Sequence, residues 1–334
     1  MERIRLCAAL LAACLLLSLA ACRPAGGTEG DPDGTLPAET LPETETETEE
    51  VTEPPLIREP VDPPLVAPFD IPAYQSAASI FVYDEERGLL FRQGDLLEPL
   101  YPASTTKLIA ALTALEICEP DDVFEAGDEL YLVQPGASAA YITVGCSLSA
   151  EMLVEAMMLP SGCDASYVIA AGCGRLLDPT AATAADAVAV FVNAMNTWAE
   201  RNGLYNSHFE NPDGFHAEGH YSCMADLMRV SVLAMQNEIV AKYGAVQYDA
   251  VVYASGHTNA WVNTNKLLDP TGEYYLSECV GIKTGQTDRA GCCLLSCFRH
   301  EGRTVYVGVF GSPTSEDRFA LTKTLAETFL PGVH

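Results

Sequence analysis

Apolar positions fall into three regimes along the chain. Residues 6–21 form a nearly continuous apolar stretch behind Arg3 and Arg5. At about sixteen residues it has the charged-then-apolar pattern of an export signal and falls short of a spanning helix. From Arg23 to about Asp70 large apolar side chains become sparse, and Pro, Thr and Glu take over, including the alternating acidic run 43–50. Such a segment cannot offset the entropy of ordering its backbone, so residues 22–70 are expected to be disordered. Proline and like-charge repulsion extend it into a spacer. From about Ile71 the pattern is globular, and 71–334 is expected to be the folded domain.

Within that domain, 77–83 reads as a strand, 84–88 as a turn and 89–92 as the hairpin partner. Pro102 precedes a helical run over 104–116 with Leu108, Leu112 and Leu115 among its apolar positions. Helices are also expected at 151–159, 184–200, 225–236 and 316–329. Strands are expected at 280–284, 291–299 and 304–310, separated by turns containing Gly. Strands first, helices in the middle and strands last imply an α+β domain. One sheet would be built from both chain ends, with a helical insertion at about 119–260.

Charge narrows the partners. The chain has 334 residues with 18 Lys+Arg against 46 Asp+Glu, a net charge of -28. A phosphate-backbone binder needs clustered bases, so no nucleic-acid partner is expected. About thirteen acids and two bases lie in the spacer. The apolar stretch closes with Leu19-Ala20-Ala21-Cys22. Small residues before a cysteine resemble the bacterial lipobox, in which the thiol is diacylated and becomes the new N-terminus. Cys22 is therefore the expected lipidation site, and 1–21 a lipoprotein signal. Two acyl chains hold a protein on a membrane stably where one does not. Nine of the 12 cysteines follow the spacer, an odd number, so at least one is unpaired in a monomer. Many sit among apolar neighbours, as buried free thiols do.

The chemistry concentrates in three segments. In Tyr101-Pro102-Ala103-Ser104-Thr105-Thr106-Lys107, Ser104 stands at a helix start and Lys107 projects from the same face one turn on. A serine hydroxyl is a weak nucleophile until a nearby base takes its proton. A lysine can be that base where burial and positive neighbours populate its neutral form. Alone, this spacing fits a helix cap followed by a solvated lysine equally well. The second segment, Leu159-Pro160-Ser161-Gly162-Cys163-Asp164-Ala165, reads as a loop between helical runs. The third, Val280-Gly281-Ile282-Lys283-Thr284-Gly285-Gln286-Thr287, reads as a strand ending in Lys-Thr-Gly.

Ser-x-x-Lys, a Ser-x-Asn-like element and Lys-Thr-Gly, in that order, resemble the signature of penicillin-binding proteins and serine β-lactamases. The sequence is similar to the low-molecular-mass D-alanyl-D-alanine carboxypeptidases from about Ala77 to Phe329. Phe209-Glu210-Asn211-Pro212-Asp213-Gly214, His220-Tyr221-Ser222 with Asp226, and Asn263-Thr264-Asn265-Lys266-Leu267-Leu268 support the likeness. The resemblance implies a five-stranded antiparallel sheet flanked by helices, with an inserted helical subdomain and the site between them. It implies Ser104 as nucleophile, Lys107 as proton acceptor and Ser161 as relay to the leaving amine. Cys163, Lys283, Thr284, Gly285 and Gln286 would bind substrate, with the backbone N–H groups of Ser104 and Gln286 facing the developing oxyanion. The expected substrate is a peptidoglycan stem peptide, with β-lactams as covalent inhibitors and no cofactor or metal.

Two positions depart from the family. Cys163 stands where Asn is usual and is a poorer donor and acceptor; nearby lysines would make it reactive if they lowered its pKa. Gln286 stands where an aromatic is frequent. His208, His216 and His220 lack a zinc-binding His-Glu-x-x-His pattern. The class A deacylating Glu-x-x-Leu-Asn is also missing, so a β-lactamase on this scaffold is the weaker enzyme reading. A catalytically weak binder of muropeptides or β-lactams is the alternative from another class. The chain ends about fifty residues after Lys283, too soon for the C-terminal β-domain and anchor helix common in the family. Its expected place is the outer face of the cytoplasmic membrane, or the periplasm of a diderm.

Overall fold

The computed structural model describes residues 77–333, all within one compact unit, Thr52–His334. The export signal, Cys22, the acidic spacer and the domain boundary near Ile71 lie outside the described residues. Both chain ends build one antiparallel sheet. Strands β1 (Ser79–Asp84) and β2 (Gly88–Gln93) open the domain. Strands β7 (Cys279–Thr287), β8 (Gly291–His300) and β9 (Arg303–Ser312) close it. The order is β2-β1-β9-β8-β7, so β1 and β9 meet at the centre, with Ser79 opposite Phe310 and Asp84 opposite Val305. The expected α+β architecture and its sheet of both chain ends are the observed ones.

Period-two alternation explains how the sheet separates two cores. Ile80, Val82, Val305, Val307 and Val309 face helix α7 (Ser315–Phe329), whose Phe319, Leu325 and Phe329 cover them. Phe81, Tyr83, Leu295, Cys297 and Tyr306 face the other way, into a larger core with the remaining helices. Because both faces are covered, β8 is buried over seven consecutive residues instead of alternating. Each fully buried large apolar side chain contributes roughly 1.5–3 kcal/mol, so these two faces dominate the stability.

Helix α1 (Thr106–Ile117) runs through the larger core and is buried from Thr106 to Ala114 without a break, as a helix apolar all round must be. The middle of the chain adds β3 (Val123–Glu125), β4 (Ser147–Ser149), α2 (Ala150–Met158), α3 (Cys163–Leu177) and α4 (Ala184–Arg201). It continues with α5 (Met224–Gln236), α6 (Glu238–Ala245), β5 (Tyr248–Val252) and β6 (Thr258–Val262). Caps fix several starts: Ser149 accepts from Met152 N, and Thr183 with Asp186 forms a capping box before α4. The insertion is thus helical with two small hairpins, β3–β4 and β5–β6. In β5 and β6 only one residue of five is buried, so neither carries the apolar alternation that would announce a strand.

Two expected boundaries move. Lys283-Thr284-Gly285 does not end its strand, because β7 pairs with β8 through Thr287 opposite Gly291. Cys163 is the first residue of α3 and not part of a loop, its N–H being bound by Ser138 O. Among the described residues no helix is long and apolar enough to cross a membrane.

Candidate active site

Ser104 lies in a short 3-10 turn, Ala103–Thr105, immediately before α1. The turn is closed by Thr105, whose N–H and hydroxyl both donate to Pro102 O. Ala103 is held at φ 48°, a left-handed conformation costing a non-glycine residue roughly 1–2 kcal/mol. The turn is braced from outside by Gly214, at φ 82°, where any Cβ would come within 1.9 Å of Ala103 O. Only glycine can fill that position, which explains the Asp213-Gly214 pair in the sequence.

One helical turn later Lys107 is fully buried, and its ammonium has three acceptors. Nζ donates to Ser104 Oγ at 2.9 Å, Asp213 O at 2.8 Å and Cys163 Sγ at 3.3 Å. All three of its donors are therefore directed, and the amine has one defined place beside the hydroxyl. Ser161 sits in the bend between α2 and α3 at φ 61°, and its carbonyl accepts from Ser138 Oγ at 2.6 Å. Left-handed non-glycine residues at Ala103 and Ser161, both beside Lys107 and its partners, match the tendency of backbone strain to collect at working sites.

Strand β7 is the edge of the sheet and passes the nucleophile turn directly. A Cβ on Gly285 would lie 3.0 Å from both Ser104 N and Ala103 Cβ, so glycine lets strand and turn approach. Lys283 is buried, and its Nζ donates to Thr284 O at 3.2 Å. Burial, followed by the charge of Lys107, pushes its amine well below the usual lysine range. Thr284 Oγ1 is 2.5 Å from Thr264 Oγ1, which links the edge strand to the Asn263-Thr264-Asn265 segment. Gln286 is exposed at the strand's outer end. The Gly285 carbonyl accepts from Arg318 Nη1 at 2.9 Å; this arginine also binds Cys293 O and Ser315 Oγ.

The structure thus brings Ser104, Lys107 and Cys163 into direct contact, with Ser161 next to Cys163 and Lys283–Gln286 along the neighbouring edge. Arg318 was not singled out from sequence, and Thr264 and Asp213 stood in segments that supported the likeness without a role at the site. Arg318 comes from α7, and nothing in its neighbourhood marks it as a buried arginine. The three histidines are separate: His220 Nε2 meets Thr106 Oγ1 at 2.9 Å, His208 pairs with Glu210, and His216 packs edge-on against Tyr101. Among the described residues no three metal-ligating side chains converge.

Cys163 is buried, and desolvation raises its thiol despite the opposing charge of Lys107. It therefore rests as a thiol, contrary to the activation that nearby lysines could have given it. We expect Cys163 to resist iodoacetamide at pH 7.5 in the native protein and to react only after unfolding. Peptide mapping by mass spectrometry checks this, and rapid native alkylation would contradict it.

A hydroxyl, a buried amine against it and an open edge strand carrying a second buried amine alongside make an arrangement suited to acyl transfer. Comparison with known proteins places that chemistry. The S11 peptidase family model, described as D-alanyl-D-alanine carboxypeptidase, matches residues 69–314. A D-alanyl-D-alanine carboxypeptidase of Streptomyces sp. (strain K15) is 32% identical over 213 residues, covering 62% of this chain and 69% of that protein. The D-alanyl-D-alanine carboxypeptidase DacF of Bacillus subtilis (strain 168) is 26% identical, covering 76% of this chain and 62% of that one. The crystal structure of the Streptomyces K15 DD-transpeptidase superposes with a TM-score of 0.68 at 29% identity, over 76% of this chain and 97% of that one. Solved variants of that enzyme replace a serine by alanine and, two positions on, a cysteine by alanine or asparagine, the spacing of Ser161 and Cys163 here. The chain belongs to the S11 family of D-alanyl-D-alanine carboxypeptidases, serine hydrolases built on the penicillin-binding protein fold.

Proposed function

We propose that this protein removes the terminal D-alanine of peptidoglycan stem peptides through an acyl-enzyme on Ser104. The observation that carries the reading is the Lys107 ammonium 2.9 Å from the Ser104 hydroxyl, beside the open edge bearing Lys283-Thr284-Gly285. A peptide ending in a free acid extends along β7 as an added strand, and Gly285 leaves room for its backbone. Its carboxylate meets Thr284 and Lys283; an arriving anion favours the charged form of that buried amine. Neutral Lys107 takes the Ser104 proton as Oγ attacks the penultimate carbonyl. The N–H groups of Ser104 and Gln286 face the new oxyanion, and Ser161 passes a proton to the departing amine. Water then cleaves the ester, or an amine acceptor converts it into a crosslink.

β-Lactams, whose strained amide presents a carbonyl to the same hydroxyl, acylate Ser104 in this reading. Export on the signal at 1–21 and a lipid on Cys22 would hold the domain outside the cytoplasmic membrane, with residues 22–70 setting its reach. The test is release of D-alanine from a pentapeptide ending in D-Ala-D-Ala. We expect turnover by the native chain and a loss of at least about 10³-fold in Ser104→Ala. An alanine variant that keeps its rate assigns the nucleophile elsewhere.

A further inference from the structure

Ser161 is held in place by a loop from outside its own motif, residues 138–142. The left-handed backbone of Ser161, at φ 61°, decides where its Oγ sits, and that backbone is tied down on both sides. Ser138 Oγ donates to Ser161 O at 2.6 Å, and Cys163 N donates to Ser138 O at 2.8 Å. Between them Gly162 N donates to Ala156 O of α2 at 2.9 Å.

The loop is fixed in turn by one carboxylate. Asp164, the second residue of α3, is buried. Its Oδ1 accepts from Ala140 N and Ala165 N and its Oδ2 from Ile142 N, each at 2.9 Å. Bonds to an ionised acceptor are the strong kind, and the start of a helix favours the negative charge. Ala140 is gripped from the other side as well: its carbonyl accepts from Asn259 Nδ2 at 2.8 Å and Trp261 Nε1 at 3.1 Å, both on β6. Tyr141, between the two amides that Asp164 holds, stands at φ 61°, a second left-handed residue in the same assembly. The loop also lies directly on the motif. A Cβ on Gly162 would come within 2.7 Å of Asp164 Oδ1 and 2.8 Å of Ala140 Cβ.

Resting on the acyl-enzyme reading above, we propose that Asp164 is a positioning residue for Ser161: its carboxylate sets the 138–142 loop, and Ser138 at the start of that loop sets the serine that protonates the leaving amine. As Ser104 Oγ bonds to the carbonyl carbon, the C–N bond breaks only when the nitrogen gains a proton. The proton taken from Ser104 ends on that nitrogen by way of Ser161. A misplacement of about 1 Å in such a group costs about 10²-fold. A thioester of the same acyl chain makes the same Oγ–C bond but expels a thiolate, which leaves without a proton. The positioning of Ser161 should therefore matter for an amide and hardly at all for a thioester, whereas general damage to the fold slows both alike.

The experiment compares kcat/KM, which reports acylation, for two substrates of the full chain. One is an acylated tripeptide ending in D-Ala-D-Ala; the other is the same acyl group carried as a thioester of thioglycolate. Asp164→Asn keeps the shape but sets an amide N–H where an oxygen accepted. We expect it to lose about 10- to 100-fold on the amide and less than about 3-fold on the thioester. Ser138→Ala should show the same split at about 5- to 20-fold, and Ser161→Ala should lose more on the amide than on the thioester. Adding Asp164→Asn to Ser161→Ala should cost the amide no more than about 2-fold further, because both act through one hydroxyl. Equal losses on the two substrates, no loss on the amide, or full additivity with Ser161→Ala overturns the assignment while leaving Ser104 as nucleophile. If Asp164→Asn fails to fold, Ser138→Ala decides alone by the same split. Absence of turnover of both substrates by the native chain would instead overturn the acyl-enzyme reading beneath it.

Discussion

Lys107→Met will cut acylation of Ser104 by about 10³-fold or more, without recovery at high pH. Methionine has a similar reach and no charge, so the change removes the amine and leaves the volume of a fully buried position nearly filled. General-base assistance accounts for roughly 10²–10⁴-fold on its own, and a 10³-fold loss is about 4 kcal/mol of barrier. The hydroxyl also loses the hydrogen bond that orients it from α1. A second consequence distinguishes this from simple unfolding. Lys107 is the largest charge contribution holding the Lys283 amine down, so its removal should let that amine rise toward the ordinary lysine range. Stopped-flow labelling with penicillin gives the rate, and the melting temperature separates chemistry from stability. A variant that acylates within a few-fold of wild type would remove Lys107 from the mechanism.

Glu155→Gln will stabilise the protein at pH 8 by about 3 kcal/mol and leave stability near pH 4 almost unchanged. Glu155 projects from α2, is 3% exposed, and has Oε1 buried without a partner. Burial, with the Asp249 carboxyl of β5 within hydrogen-bonding reach, raises it to about 8. The unfolded chain releases this proton near pH 4.5, while the folded chain keeps it. Stability therefore declines as pH rises from about 4.5 and levels off only above 8. A glutamine amide donates to Asp249 at every pH and has nothing to ionise, so the decline should vanish. His220 works in the opposite sense: unfolded it charges near 6.5, folded only near 4, so its contribution is lost as pH falls through that window. Urea titrations at pH 4, 6 and 8 resolve the two slopes. Parallel pH profiles for wild type and Glu155→Gln would contradict the assignment.

What the sequence disclosed follows from what is local. Ser104 and Lys107 sit three apart at a helix start, so their contact is a property of helix geometry. Lys283-Thr284-Gly285 follows Cys279, Val280 and Ile282, the apolar residues that announce β7. The sheet of both chain ends was legible because its strands carry either alternation or continuous burial. Less visible was whatever the fold supplies from a distance. Arg318 reaches Gly285 O from 33 positions along the chain, and the Asp213 carbonyl reaches Lys107 from 106. No periodicity marks either one. Short elements were hidden for a different reason: β5 and β6 bury too few side chains to impose a pattern, and α6 has eight residues, too short for a clear period. The end of the Lys-Thr-Gly strand was misplaced because Gly285 reads as a stop, whereas in the sheet it makes room for the turn carrying Ser104.

The central claim is that Ser104 carries the acyl group, and the most direct measurement is the location of that group. The native chain should be trapped with benzylpenicillin at pH 7.5, digested, and the adduct mapped by tandem mass spectrometry. The account predicts one penicilloyl group, on the peptide containing Tyr101 to Lys107, with fragment ions placing it on Ser104, and none in Ser104→Ala. An adduct on Cys163 or Ser161, or a protein that carries no adduct after prolonged incubation, would contradict it.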